Sequence, residues 1–291
     1  MIKVLWIDDE CKDSNNRLTP MGRQFIESAC DEDIEITAIT TYKEGLDAIV
    51  NNPLKWCAVI LDIREQNATK GDAVDGYLDI VRELEIHQRI HNLKEPYIFT
   101  LSGEKQYQEQ NALAYKRDYC SKRVYDKNGE DYKILFKDIR KIENVSELYK
   151  LRTEYKDVID ASRTLGEGGD DRLVGIMYHI LLKKEYNNAS LLNEFRKYIE
   201  EFIMKKLGVS GFFPRNVEPT LNQRSIYIGS KDSKAPEYIK RSFHSLVSLT
   251  QEGSHGGTIT DEVVRNGEAP FLLRGCLFEL LGIVEWIKQM E

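Results

Sequence analysis

Short apolar segments alternate with helical patterns five times within residues 1–145, and this alternation limits the fold more than any other feature of the chain. The apolar segments, which we interpret as strands, cover residues 3–7, 34–39, 57–61, 96–101 and 123–126. Apolar residues recur at helical spacing between and after them, near 20–30, 42–50, 76–90, 106–119 and 132–142. Strands that alternate with helices form parallel sheets covered on both faces. The first half is therefore predicted to be α/β, with a doubly wound, five-stranded parallel sheet.

Carboxylates stand where two of the predicted strands end. Asp8 and Asp9 follow the first strand directly, and Asp62 ends the third. The uninterrupted apolar run 58–61 is typical of a central strand of a parallel sheet, and ligands of such sheets gather beyond the carboxyl ends of the strands. A cluster of carboxylates at that edge favours a hard divalent cation. The sequence thus predicts an acidic site at one edge of the sheet.

Two further polar residues follow later strands, Ser102 after the fourth and Lys127 after the fifth. An acidic pair, an acid, a hydroxyl and a lysine in this order on successive strands resembles the receiver domain of bacterial two-component response regulators. The resemblance covers residues 1–145 and implies a flavodoxin-like fold. It also implies that Asp62 accepts a phosphoryl group from a histidine kinase or a phosphotransfer protein.

The resemblance assigns a role to each polar strand end. It implies a site for Mg²⁺ whose ligands are all oxygen atoms, those of Asp8, Asp9 and Asp62 and the backbone carbonyl of Arg64. Ser102 and Lys127 are implied to contact phosphoryl oxygens. Such positive partners suit the chemistry, because an aspartate that attacks an anionic phosphoryl donor needs its charge offset. The alternative is a structural carboxylate cluster, or a metal site in a receiver-like domain that has lost phosphorylation.

The sequence departs from the receiver pattern around the lysine. Receiver domains usually carry a proline after it, whereas Asn128 follows Lys127 here. Lys122 is a competing candidate, and we favour Lys127 because a strand leads into it and a helix follows. The aromatic residue that normally stands three positions before the lysine is replaced by Val124, with Tyr125 one place later. The sequence therefore does not predict the aromatic switch residue of receiver domains at its usual position, three residues before the lysine.

Residues 146–291 show long helical patterns in place of the alternation. We predict helices near 146–159, 172–184, 190–207, 237–249 and 270–288, and hence an all-α C-terminal effector or interaction domain. The segment 208–235 is rich in Gly, Pro, Asn and Ser, which favours a long loop or a short hairpin around 226–228.

The second half carries no nucleotide-binding loop and no basic helix-turn-helix, so its output is predicted to be protein contact. The last helical segment, 270–288, is apolar nearly all round, which requires a surrounding bundle, a second copy in a homodimer or a downstream protein partner. Arg241, His244 and the turn 253–257 faintly resemble helical domains of the HEPN and abortive-infection type. That resemblance gives an alternative function, a prokaryotic defence or toxin-type protein with an RNA-acting helical half and a degenerate receiver-like sensor.

Charge and cysteine content exclude several classes of function. The net charge is −7, made up of −6 from residues 1–145 and −1 from residues 146–291, which argues against DNA binding by either half. The five cysteines show no metal-ligand spacing and suit reduced thiols. A signal peptide and a membrane span are not predicted, so a cytoplasmic location is expected. The leading hypothesis is a cytoplasmic response regulator whose only enzymatic chemistry is its own phosphorylation and dephosphorylation.

Overall fold

The computed structural model describes residues 1–63, 70–90, 93–103, 121, 124–127, 131–253 and 259–290. The chain divides into two compact units, Met1–Thr153 and Glu154–Glu291. The first unit thus extends beyond residue 145, where the alternating sequence pattern ends. We describe each unit by itself.

The first unit contains the predicted five-stranded sheet. Its strands are β1 (Ile2–Ile7), β2 (Ile34–Ile39), β3 (Ala58–Asp62), β4 (Tyr97–Ser102) and β5 (Tyr125–Asp126). Every pair is parallel, and the order is β2-β1-β3-β4-β5. Its described helices are α1 (Pro20–Cys30), α2 (Tyr42–Asn51), α3 (Lys70–Ile90), α4 (Asp131–Lys141) and α5 (Glu147–Glu154). This confirms the α/β parallel sheet, whose order is compatible with a flavodoxin-like fold. The predicted helix 106–119 lies outside the described residues.

Both faces of the sheet are covered, because side chains alternate along each strand. On one face, Leu61 and its neighbours share a buried apolar cluster with residues of α2 and α3. On the other face, the Trp6 ring lies 4.3 Å from that of Phe25 in α1. The Phe25 ring lies 5.0 Å from that of Phe136 in α4. The uninterrupted apolar run from Ala58 to Leu61 in β3 follows from this double burial.

Helix α2 begins and packs as its sequence dictates. The hydroxyl of Thr41 accepts a hydrogen bond from the backbone N–H of Glu44 at 3.3 Å and thereby caps the N-terminus of the helix. The helix approaches β1 so closely that a Cβ atom on Gly45 would lie 2.1 Å from Cδ1 of Ile7. Only glycine fits this approach, and it brings α2 against the strand that carries the first two acids.

Helix α5 belongs to the first unit because buried polar contacts hold it there. Ser146 and the backbone N–H of Glu147 both donate to Oε1 of Glu95, at 2.9 and 3.0 Å. Arg152 donates to the backbone carbonyl of Leu54 at 3.0 Å. Glu95, Ser146 and Arg152 are buried, so breaking these hydrogen bonds would leave polar groups that water cannot reach to replace the lost partners. The first unit accordingly ends at Thr153, in the last turn of this helix.

The described secondary structure of the second unit is helical. Its α-helices are α6 (Lys156–Arg163), α7 (Gly169–Met177), α8 (Ser190–Tyr198), α9 (Lys205–Val209), α10 (Leu221–Gly229), α11 (Glu237–Gly253), α12 (Ile259–Arg265) and α13 (Leu272–Lys288). Segments Tyr178–Leu182 and Ile199–Met204 are π-helical. The prediction of a loop or hairpin around 226–228 is wrong, because α10 occupies those residues. Thr220 caps α10 by accepting the N–H of Gln223 at 3.3 Å.

The last helix, α13, forms much of the core of the second unit. Nine of its residues are buried, and it packs against α6, α8 and α11. Phe278 is an exception, since 54% of it is exposed. Most of the apolar surface of α13 is thus covered by its own bundle. Among the described helices of the chain, none combines the length and the apolar composition that crossing a membrane requires.

Candidate functional site

The three acids predicted from the strand ends meet at one edge of the sheet. In the parallel pairing of β1 with β3, Ile7 lies opposite Leu61, so the residues that follow, Asp8 and Asp62, are neighbours. One carboxylate oxygen from each of Asp8, Asp9 and Asp62 lies within 4.8 Å of the other two. Asp8 and Asp62 are buried, whereas Asp9 is half-buried. The register of two strands thus builds a compact oxygen cluster.

The side chain of Lys127, which follows the edge strand β5, extends to this cluster. Its backbone N–H donates to the carbonyl of Ser102 at 3.0 Å, which continues the pairing of β4 with β5. Its Nζ donates to Oδ1 of Asp8 at 2.7 Å and to Oδ2 of Asp62 at 3.0 Å. The side chain is only 4% exposed. The structure therefore brings together four residues that the sequence placed at the ends of three strands.

Ser102 ends β4 and is buried. The described distances link it to the cluster through its carbonyl, which holds the backbone of Lys127. Arg64, the predicted fourth metal ligand, and Lys122, the competing lysine, both lie outside the described residues. Tyr42 adds a contact that no sequence motif predicts, because its hydroxyl donates to the backbone carbonyl of Asp62.

Glu10 is a site residue to which sequence reasoning assigned no role. Its Oε2 lies 2.8 Å from Nζ of Lys127, and its backbone N–H donates to Oδ1 of Asp8 at 2.8 Å. The acidic run after β1 includes Glu10, but the spacing alone does not show which carboxylate turns towards a lysine more than a hundred residues away. Its side chain is 60% exposed, unlike those of the two buried acids.

Burial controls the protonation of the cluster. The pKa of Asp62 is raised to about 7, first by burial and then by the charge of Asp8, against the lowering effect of Lys127. Burial also raises the pKa of Asp8 against the lowering effect of Lys127. For Asp9, burial and then the charge of Asp8 raise the pKa. Burial alone would lower the pKa of Lys127, but Asp62 and Asp8 raise it overall, so the ammonium stays charged.

The donor set fits a hard divalent cation. Among the described residues, the carboxylates of Asp8, Asp9, Glu10 and Asp62 face the single ammonium of Lys127, which leaves three negative charges when all are ionised. Oδ2 of Asp8 and Oδ1 of Asp62 are buried, and within that part of the chain they have no hydrogen-bond partner. Buried carboxylate oxygens without donors are costly unless a cation satisfies them. Mg²⁺ prefers such oxygen ligands and takes few carboxylates.

The hydroxyl of Tyr125 belongs to a hydrogen-bond network around the buried carboxylate of Asp138. Its hydroxyl donates to Oδ2 of Asp138 at 2.6 Å, and the same carboxylate accepts from Ser121 and Lys141. Tyr125 lies opposite Leu101 in the strand pairing, whereas Ser102 lies opposite the next residue, so the two side chains leave opposite faces of the sheet. The ring therefore anchors β5 to α4.

Comparisons of the chain with family models, with curated proteins and with solved structures found no match. The chemistry of the site must therefore follow from its own residues. These residues form an oxygen cluster that fits a cation, and they include a buried lysine. The carboxylate of Asp62 lies where both the cation and Lys127 can contact it.

Proposed function

We propose that the first unit is a receiver domain and that Asp62 accepts a phosphoryl group in a two-component signalling pathway. The observation that carries the proposal is the position of Lys127. It comes from the end of β5, yet its Nζ lies 3.0 Å from Asp62 and 2.7 Å from Asp8. Phosphoryl transfer to a carboxylate needs positive charge beside the negative charge that develops, and Lys127 supplies it next to Asp62.

The proposed reaction forms one bond and breaks one. A carboxylate oxygen of Asp62 attacks the phosphorus of a phosphorylated histidine kinase or phosphotransfer protein. The new O–P bond gives an acyl phosphate, while the P–N bond to the donor histidine breaks and its nitrogen keeps the electron pair. Asp62 must be ionised for this attack. Lys127 favours the ionised form because its charge lowers the pKa of Asp62.

The remaining residues of the site would orient the phosphoryl group and neutralise its negative charge. Asp8, Asp9 and Asp62 would hold Mg²⁺, with the backbone carbonyl of Arg64 as a further expected ligand. Bound Mg²⁺ would offset negative charge on the transferred phosphoryl oxygens. Lys127 would pair with one phosphoryl oxygen and the hydroxyl of Ser102 would donate to another. Tyr42 holds the Asp62 carbonyl, which fixes the backbone of the acceptor.

We propose that the second unit is an all-α effector domain that acts by protein contact in the cytoplasm. Its partner would be a downstream protein or a second copy of the chain. The support is that neither a basic recognition helix nor a nucleotide-binding loop occurs in its sequence, and that Phe278 leaves an apolar side chain exposed on a helix whose other apolar residues are mostly buried. A phosphorylation switch requires a contact that differs between its two states.

The contacts of the described residues of α11 do not support the alternative function, action on RNA. Arg241 lies 3.5 Å from the carboxylate of Glu237, and both side chains are exposed. His244 is exposed on the same helix. An RNA degradation assay with the full chain separates the two functions, since a signalling protein should leave RNA intact.

Intact-mass analysis tests the proposed phosphorylation. The full chain should gain the mass of one phosphoryl group when incubated with acetyl phosphate and Mg²⁺. The Asp62→Asn variant should gain none, because its amide cannot form an acyl phosphate. A wild-type chain that stays unmodified under these conditions would refute the proposal.

A further inference from the structure

The ammonium of Lys127 has three carboxylate partners among the described residues. Its Nζ lies 2.7 Å from Asp8, 2.8 Å from Glu10 and 3.0 Å from Asp62. A lysine ammonium has three N–H donors. Each donor can thus be occupied by a carboxylate, and a phosphoryl oxygen can gain one only if a carboxylate leaves.

The three partners differ in how readily they can leave. The side chains of Asp8 and Asp62 are 0% and 5% exposed, so a carboxylate displaced from Lys127 would stay buried and could not be solvated by water. Both also belong to the oxygen cluster that fits a metal, which does not include Glu10. Water can solvate the exposed carboxylate of Glu10 as soon as it leaves. Glu10 is therefore the partner that a phosphoryl oxygen displaces at least cost.

The backbone keeps Glu10 beside the site even when its side chain moves. Its N–H donates to Oδ1 of Asp8 at 2.8 Å, directly after the end of β1. The carboxylate can therefore return to Lys127 once a phosphoryl group is removed. The carboxylate of Glu10 can thus compete reversibly with a phosphoryl oxygen for one N–H donor of Lys127.

We propose that Glu10 is a positioning residue that holds Lys127 in the unphosphorylated protein and slows phosphoryl transfer to Asp62. As the bond from the Asp62 carboxylate to phosphorus forms, a phosphoryl oxygen takes the third donor of Lys127 and the Glu10 carboxylate moves into solvent. Glu10 acts through Lys127 and makes no bond to the reacting atoms. The inference rests on the proposed acceptor role of Asp62.

The rate of phosphorylation of the full chain tests this role. Acetyl phosphate with Mg²⁺ serves as the donor, since its P–O bond breaks to release acetate, and intact mass is followed against time. Glu10→Gln should react faster than wild type by about two- to five-fold, the range that an exposed ion pair supports. Glu27→Gln is the matched control, because it removes the same charge from an exposed position on α1. It should react at the wild-type rate.

Two further measurements separate a contact with Lys127 from a general charge effect. In a Lys127→Gln background, the additional Glu10→Gln change should no longer accelerate the reaction. Raising the ionic strength from about 0.05 M to about 0.5 M should speed wild type more than Glu10→Gln, because salt screens the exposed ion pair. If Glu10→Gln accelerates the reaction equally in the wild-type and Lys127→Gln backgrounds, Glu10 merely repels the anionic donor. That result would overturn the inference.

The outcomes distinguish the inference from the function on which it rests. A wild-type chain that is phosphorylated as fast as Glu10→Gln overturns the role of Glu10 and leaves the acceptor role of Asp62 intact. A wild-type chain that takes up no phosphoryl group overturns both.

Discussion

Replacing Asp62 with asparagine is expected to stabilise the first unit at alkaline pH when metal is absent. Burial raises the pKa of Asp62 from its ordinary value of 3.8 to about 7, with Asp8 adding to the effect and Lys127 opposing it. The folded state therefore binds this proton more tightly than the unfolded state does. The resulting stability is full below pH 4 and is lost as the pH rises to about 7. At about 1.4 kcal/mol for each pH unit, the loss reaches about 4 kcal/mol.

Urea denaturation of the full chain at pH 5 and pH 8, in the presence of a chelator, measures this loss. A Trp286→Phe background leaves two indoles, Trp6 and Trp56, both of which are buried in the first unit. Their fluorescence then reports on the unit that carries the site. We expect Asp62→Asn to exceed its parent at pH 8 by about 2–4 kcal/mol, because the amide carries no charge to bury. At pH 5 the difference should shrink, since Asp62 is then largely protonated.

Adding Mg²⁺ provides the control for this experiment. A cation that binds the folded state stabilises it by mass action, so the parent protein should gain stability at pH 8. Asp62→Asn should gain much less, having lost one of few ligands. The reasoning is refuted if the asparagine variant is less stable than its parent at pH 8 without metal.

Four further changes have expected outcomes. Asp9→Asn should weaken Mg²⁺ binding at least about ten-fold, measured by isothermal titration calorimetry, because one of few carboxylate ligands is lost. The Mg²⁺ affinity of the wild-type chain should rise as the pH increases from 6 to 8, since protons compete with the metal at Asp62, and proton release on binding should fall over the same range. Tyr125→Phe should lower the free energy of unfolding by about 1–3 kcal/mol, since Asp138 loses a buried donor, while Mg²⁺ affinity stays unchanged. Gly45→Ala should also cost about 1–3 kcal/mol, because the new methyl group meets Ile7.

The parallel sheet could be predicted from sequence because its signal is local and repeated. In β3 the run from Ala58 to Leu61 is apolar, and β1, β3 and β4 each end at or just before a polar residue. The sequence also places Asp8 and Asp62 at the same edge, since parallel strands share their carboxyl ends. Strand order and register then decide the contact, and the pairing of Ile7 with Leu61 makes the two acids neighbours.

The parts that the sequence did not predict depend on long-range contacts or on weak local signals. The contact between Glu10 and Lys127 joins residues from opposite ends of the first unit, and an acidic run does not show which member turns inward. Helix α10 was interpreted as a loop because its surroundings are rich in Gly, Pro, Asn and Ser. Thr220 caps the helix, but a single N-cap residue is a weak signal within a segment of that composition. The first unit extends past residue 145 because Glu95 binds the start of α5, a contact between segments about fifty residues apart.

Locating the phosphoryl group by chemical reduction tests the central claim most directly. Borohydride reduces an aspartyl phosphate to homoserine, and trypsin releases residues 56–64 as a peptide in which Asp62 is the only acidic side chain. After incubation of the full chain with acetyl phosphate and Mg²⁺, tandem mass spectrometry should find homoserine at position 62 of this peptide. It should find unmodified Asp8 and Asp9 in the tryptic peptide 4–12. An unreduced Asp62 in a chain exposed to donor and metal would contradict its role as the phosphoryl acceptor.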